Sequence, residues 1–194
     1  MASATYIGAD TTTKGSWKGV YGTTGYFLAE TSAGVSSLPS WCSGVTLTGE
    51  TFFSFSSFTD PAAEPDNGNT TGTFLNIWYS GTSWTIEIDQ SATTYYDLSL
   101  YLIDADNAGR TCTVTVYDTS NVQLAPTQSY SAMEHGIWSR WKISGSVKIV
   151  LTNTGPNNVD SSGFLFDPAS GATPQVWPYL DTDLAGMNSM GMGV

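Results

Sequence analysis

The chain has 194 residues, a formal net charge of −11 and only six lysines plus arginines. Binding a phosphate backbone requires clustered cations; Lys14, Lys18, Arg110, Arg140, Lys142 and Lys148 are too scattered for that, which excludes a nucleic-acid module and disfavours an anionic membrane surface. Hydrophobic residues make up 40% of the chain, enough for one core and one domain, while charged residues fall to 12% and give way to Thr, Ser, Gly and aromatics, which suit strands and turns.

In chain order, Met1 to Ile7 reads as a short arm. From Gly8 to Tyr26, aromatics alternate with glycines, which predicts a tightly wound loop in which Trp17 and Tyr21 close one end of a core. The rival reading makes Trp17 or Tyr21 an exposed platform for a sugar ring. Tyr26 to Thr31 is the first expected strand, Ser32 to Gly44 a loop, and Val45 to Thr48 and Phe52 to Phe58 further strands. Asp60 to Asn69 is an acidic loop with Pro and Gly. Phe74 to Tyr79 and Ser83 to Asp89 flank a compact turn at Ser80-Gly81-Thr82, with Trp84, Ile86 and Ile88 facing in.

The stretch Tyr95 to Ser120 is expected to be the centre of the fold. Tyr96, Leu98, Leu100 and Leu102 fall on one face, with Asp97 and Ser99 opposite; Cys112, Val114 and Val116 share a face, with Thr111, Thr113 and Thr115 opposite. This period of two marks half-buried antiparallel strands. Asp104 to Gly109 between them is a cluster of turn formers, so the pair is expected to form a hairpin. Next, Ser129 to Met133 and Ile137 to Ile143 are expected strands, the second with Trp141 and Ile143 on one face and Trp138, Arg140 and Lys142 on the other. Val147, Ile149 and Leu151 alternate in another strand, Asn153 to Ser162 reads as a polar loop, and Phe164 and Phe166 mark the last strand. The fold class is therefore all-β: an antiparallel β-sandwich or jelly roll over residues 8–168, preceded by the arm (residues 1–7) and followed by an irregular tail (residues 169–194).

Three stretches carry a family resemblance. Asp10-Thr11-x-Thr13-x-Gly15-x-Trp17-x-Gly19-x-Tyr21-Gly22-x-x-Gly25-Tyr26 resembles the opening of a β-sandwich module of bacterial extracellular and carbohydrate-active proteins. The run from Tyr101 to Asp118 resembles its centre, and Trp141 to Ile149 with Gly163 to Asp167 its closing strands. The module is similar to galactose-binding-like jelly rolls. The resemblance covers about residues 8 to 168 and implies the fold; such folds host both sugar-binding and purely structural modules.

Few residues invite chemistry. His135 is the only histidine, so a Ser/His/Asp or Cys/His mechanism would have to use it, and it sits in an expected turn. A zinc site would need Cys42, Cys112 and His135 together. Asp104-x-Asp106-x-x-Gly109 opens like a calcium loop but has Ala108 at the fifth position and Thr115 at the twelfth, which favours a plain turn. Asp60, Glu64 and Asp66 are a second calcium candidate. Cys42 and Cys112 are either free or paired. No cofactor and no catalytic residue are expected.

Met1-Ala2-Ser3-Ala4 lacks a basic region and no apolar run follows. The leading expectation is a non-enzymatic structural protein of a particle: a bacteriophage capsid decoration, cement or other virion protein, assembled in the host cytoplasm. Its partners would be neighbouring subunits, in a capsid or a homo-oligomer, contacted by the arm and by an assembly tail containing Trp177, Tyr179, Leu184, Met187, Met190 and Met192. The alternative is a carbohydrate-binding module, extracellular if a signal peptide has been removed, that recognises glycans through Trp17, Tyr21, Trp41, Trp78 or Trp138.

Overall fold

The computed structural model describes residues 1–55, 64–65 and 73–171. It is an all-β sandwich in which every strand pair is antiparallel. The strands are β1 (Ser3–Asp10), β2 (Gly25–Leu28), β3 (Val35–Ser37), β4 (Cys42–Thr48), β5 (Thr51–Ser54), β6 (Glu64–Pro65), β7 (Thr73–Phe74), β8 (Asn76–Ser80), β9 (Ser83–Gln90), β10 (Tyr95–Leu102), β11 (Cys112–Asp118), β12 (Gln128–Tyr130), β13 (Ile137–Ser144), β14 (Val147–Asn153) and β15 (Val159–Pro168). The larger sheet runs β1-β13-β10-β15-β2-β3, with β8 sharing the edge of β15 and pairing onward to β5. The smaller sheet runs β12-β11-β14-β9-β4. Among the described residues no helix is long and apolar enough to cross a membrane.

The inner faces make one core. Leu98, Leu100 and Leu102 of β10, Trp141 and Ile143 of β13, and Phe164 and Phe166 of β15 face Trp84, Ile86 and Ile88 of β9, Val114 and Val116 of β11, and Ile149 and Leu151 of β14. The alternation read from the sequence places these residues correctly, because one face of each strand is dry and the pleat repeats every two residues.

The larger sheet is also covered on its outer face. Trp17, Tyr21, Leu28, Leu75, Ile77, Tyr101, Ile103, Trp138 and Leu165 form a second buried cluster there. Asp97 and Ser99, expected on a solvated face, are 4% and 1% exposed, and Asp97 accepts the Ser170 N–H at 2.9 Å. Gly136 lies where this layer is tightest. It has φ of 79°, and a Cβ built on it would run into the Tyr101 ring and hydroxyl.

Three expectations are corrected. Residues 1–7 are not an arm: β1 pairs with β13 from Ser3 to Asp10, and Tyr6 packs its ring on Trp141 at 5.0 Å. The stretch is short and aromatic-poor, so its strand character comes from the partner rather than from its own pattern. Tyr95–Leu102 and Cys112–Asp118 are not a hairpin: β10 pairs with β13 and β15, while β11 pairs with β12 and β14 in the other sheet. The connection, residues 103–111, is an arch from sheet to sheet. Turn formers favour a reversal but do not specify whether the returning strand pairs or crosses the core. Lastly, β15 begins at Val159, inside the expected polar loop, and its Asp160, Ser161 and Ser162 are all buried.

Gly136→Ala is expected to cost about 2–4 kcal/mol of stability, from the positive φ and the collision with Tyr101 together. Urea denaturation checks this; an unchanged midpoint would contradict the packing described.

Candidate functional site

The ends of β10 define two contrasting regions. At its start, Tyr96 stacks on the indole of Trp41, with ring centroids 4.3 Å apart and planes at 27°. The Phe166 ring meets Trp41 edge-on at 5.5 Å. Trp41 ends the loop before β4, and that loop is closed by Ser91, whose backbone N–H and hydroxyl both donate to the Trp41 carbonyl, at 2.9 and 3.0 Å. The indole is therefore supported by aromatics and remains partly exposed. Nearby in chain and register are the exposed Ser40, Ser43 and Asp89 and the half-buried Gln90, which lies opposite Cys42 with its side-chain amide donating to the Thr94 carbonyl and accepting from the Gly145 N–H.

The other candidate rings are not available. Trp17 and Tyr21 are 5% and 8% exposed, and Trp78 and Trp138 are 0% exposed. These four correct the expectation of sugar platforms, and for Trp17 and Tyr21 the structure matches the plug reading. Three anchors hold the loop that carries them. Asp10 accepts from the Thr12 and Thr13 side chains and from the Tyr21 hydroxyl, at 2.7 Å for Tyr21. Asp167 accepts from the Gly22 and Thr23 backbone, at 3.0 and 2.8 Å. The Trp138 indole N–H donates to the Lys14 carbonyl at 2.6 Å. Burial pushes the Asp10 carboxyl up, but the bonds from Thr13, Tyr21 and Thr12 outweigh it and hold the group well below the usual carboxylate range. Burial and the bond to Asp10 push the Tyr21 hydroxyl up to about 12. Trp78 is sealed between the sheets, with Phe27 at 5.6 Å and Trp84 at 6.5 Å. Trp177, Tyr179, Leu184, Met187, Met190 and Met192 lie outside the described residues.

At the far end of β10 stands the arch. The Asp104 carboxylate accepts from the backbone N–H groups of Ala108, Gly109 and Arg110 at 3.0, 2.8 and 3.0 Å. Asn107 and Gly109 supply the positive φ values, 52° and 74°, that bring those amides inward. The Arg110 guanidinium pairs with Asp104 and Asp106, donates to Asn158 Oδ1 at 2.6 Å, and lies 3.1 Å from Asp160. Burial works against charge at Asp104, but the Ala108 amide and Arg110 outweigh it and hold its carboxyl below the usual carboxylate pKa. This is the plain turn rather than the calcium loop: the carboxylate is occupied by its own backbone and by Arg110. Arg110 and Asp160 escaped the sequence reading. The available signal was a single arginine, Arg110, shortly after two aspartates, Asp104 and Asp106, inside a strand-to-strand connection.

The remaining chemical candidates stay apart. Cys42 and Cys112 are buried and free. Cys42 donates to the Gly44 carbonyl at 3.5 Å, while Cys112 touches Met133 Sδ at 3.8 Å at the arch end. His135 is exposed in the turn before β13. Among the described residues no three His, Cys, Asp or Glu side chains are grouped to hold a metal. Asp60 and Asp66 lie outside the described residues, as does the side chain of Glu64.

The fold and site define an antiparallel two-sheet β-sandwich with an aromatic end and a charged arch. No family model matches the chain, and no curated protein matches it. Solved structures do. The family 35 carbohydrate binding module from Clostridium thermocellum is 13% identical over 64% of this chain and 92% of that one, with a TM-score of 0.36. CBM35 from Paenibacillus barcinonensis is 12% identical over 66% of this chain and 94% of its own, also with a TM-score of 0.36. The enzymatically active domain of bacteriophage CBA120 tailspike protein 4 is 10% identical over 66% of this chain and 19% of its own, with a TM-score of 0.34. All these TM-scores lie below 0.5, so they assign neither a ligand nor a binding residue to this chain.

Asp104→Ala removes the acceptor of three amides and leaves a buried guanidinium under-paired. It is expected to cost about 3–5 kcal/mol, measured by chemical denaturation; a loss under about 1 kcal/mol, the level of a surface pair, would contradict the arch as described.

Proposed function

We propose that this chain is a non-enzymatic carbohydrate-binding module that stacks a sugar ring on Trp41. One observation carries the reading: of the six tryptophans among the described residues, five are buried and Trp41 alone is partly exposed. A sugar ring presents an apolar C–H face and a polar rim. A flat, partly exposed indole matches the apolar face, with exposed Ser40, Ser43 and Asp89 adjacent in chain or register to meet the polar rim, and an aromatic ring contributes large contact area at little cost in rotamer entropy. Tyr96 and Phe166 behind the indole fix its orientation before a ligand arrives, so little ordering remains to oppose binding. The virion reading has less to stand on. One of its two assembly extensions is the edge strand β1, and the assembly residues of the other, Trp177 to Met192, lie outside the described residues.

The test is a glycan array probed with the full chain, followed by titration of the strongest hit. Trp41→Ala is expected to weaken binding about tenfold or more while circular dichroism stays unchanged, the size of loss seen when an interface anchor is truncated. Trp41→Phe should fall between the two. Undiminished binding in Trp41→Ala would overturn the assignment of the site, and an array with no hit would overturn the glycan reading.

A further inference from the structure

The arch holds more acid than its arginine can neutralise. Asp160 is 1% exposed, and neither of its carboxylate oxygens receives a hydrogen bond. Arg110 Nε lies 3.1 Å away, but its hydrogen goes to Asn158 Oδ1 at 2.6 Å. The Nη1 group of the same guanidinium is engaged by Asp104 and Asp106. A second carboxylate charge beyond the first excess one would therefore be buried with no donor of its own, which is strongly disfavoured. The groups facing Asp160 are Arg110, Asp104 and Asp106 of the arch and the thiol of Cys112 on β11, itself pushed up to about 12 by burial and by Asp160. Tyr79 is its cross-strand partner on β8.

We propose that Asp160 is a proton-operated latch on the arch. With its proton in place, the carboxyl is neutral beside Arg110 and the arch stays seated. When the proton leaves to water, the cluster gains an unpaired buried charge and the arch lifts from the loop before β15. The contacts that break are those joining arch and loop: Arg110 to Asn158, Thr154 N–H to the Thr111 carbonyl at 3.0 Å, and Asn157 to the Ala108 carbonyl at 3.4 Å. The acidity agrees with the geometry. Burial drives the Asp160 carboxyl upward, Arg110 pulls it down, and Asp106 and Asp104 push it up again, leaving it at about 7 against an ordinary 3.8.

The direction in pH follows. Between 3.8 and about 7 the folded chain holds a proton that the unfolded chain has lost, so this group removes stability as pH rises through that window, and the full loss is reached above about 7. Most aspartates act in the opposite direction.

The experiment uses the native chain. The Asp160 carboxyl carbon is followed by NMR from pH 3 to 9, and amide exchange is followed at Thr154, whose N–H bond to the Thr111 carbonyl joins loop to arch. The expected midpoint lies near 7. Exchange at Thr154 should rise about ninefold between pH 6 and 8 beyond the intrinsic base-catalysed increase, as the ionised fraction climbs from ~10% to ~90%. In Asp160→Asn the excess should vanish, and the stability of the variant relative to the native chain should grow from pH 4 to 7. A carboxyl midpoint near 4, or a Thr154 amide that follows only the intrinsic pH dependence, overturns the latch. Both of those readings come from the native chain and stand whether or not the variant folds.

Discussion

Arg110 is the group on which the geometry of the sandwich depends. It sits where the chain leaves the larger sheet and enters the smaller one, 8% exposed, with two aspartates of its own arch, Asn158 and Asp160 around it. A buried guanidinium is costly unless its fork is filled, and a filled fork is rigid because its donors lie in one plane. The same group therefore fixes the shape of the arch and the position of the start of β15. Strand β15 in turn pairs with β10 on one side and with β2 and β8 on the other. Four strands of the larger sheet thus take their register next to one ion cluster.

A second constraint comes from covering the larger sheet twice. The inner face packs on the smaller sheet, and the outer face packs under the loop that carries Trp17 and Tyr21. Aromatic wealth is mostly consumed by these two layers. Phe27, Phe164, Trp78 and Trp84 fill the inner layer, while Tyr101, Trp138, Tyr21 and Trp17 fill the outer one. Tyr21 also carries the Arg140 guanidinium over its ring at 5.2 Å. The functional reading therefore rests on where a ring fails to be covered, and only at Trp41 does an indole among the described residues meet that condition.

The sequence spoke clearly about faces and poorly about partners. Leu98, Leu100, Trp84, Ile86, Val114 and Ile149 declared the core because alternation follows directly from the pleat. Pairing is a long-range property, and the turn formers between Leu102 and Cys112 serve a hairpin or an arch equally well. Asp104 decides for the arch by gathering amides at 108, 109 and 110, a geometry that spacing does not reveal. The same holds for Ser3–Asp10, a strand because β13 offers it an edge. For the site, aromatic type was visible and exposure was not: Trp138 and Trp41 look alike in sequence, and only the outer layer buries one of them.

The account stands most directly on Trp41 as the ligand surface. The measurement that tests it is the set of tryptophan indole N–H signals in a proton–nitrogen spectrum, assigned one by one, during titration with an oligosaccharide. The Trp41 signal should move with ligand concentration while those of Trp17, Trp78, Trp84, Trp138 and Trp141 hold still. A shift centred on any buried indole, with Trp41 unmoved at saturation, would contradict the account.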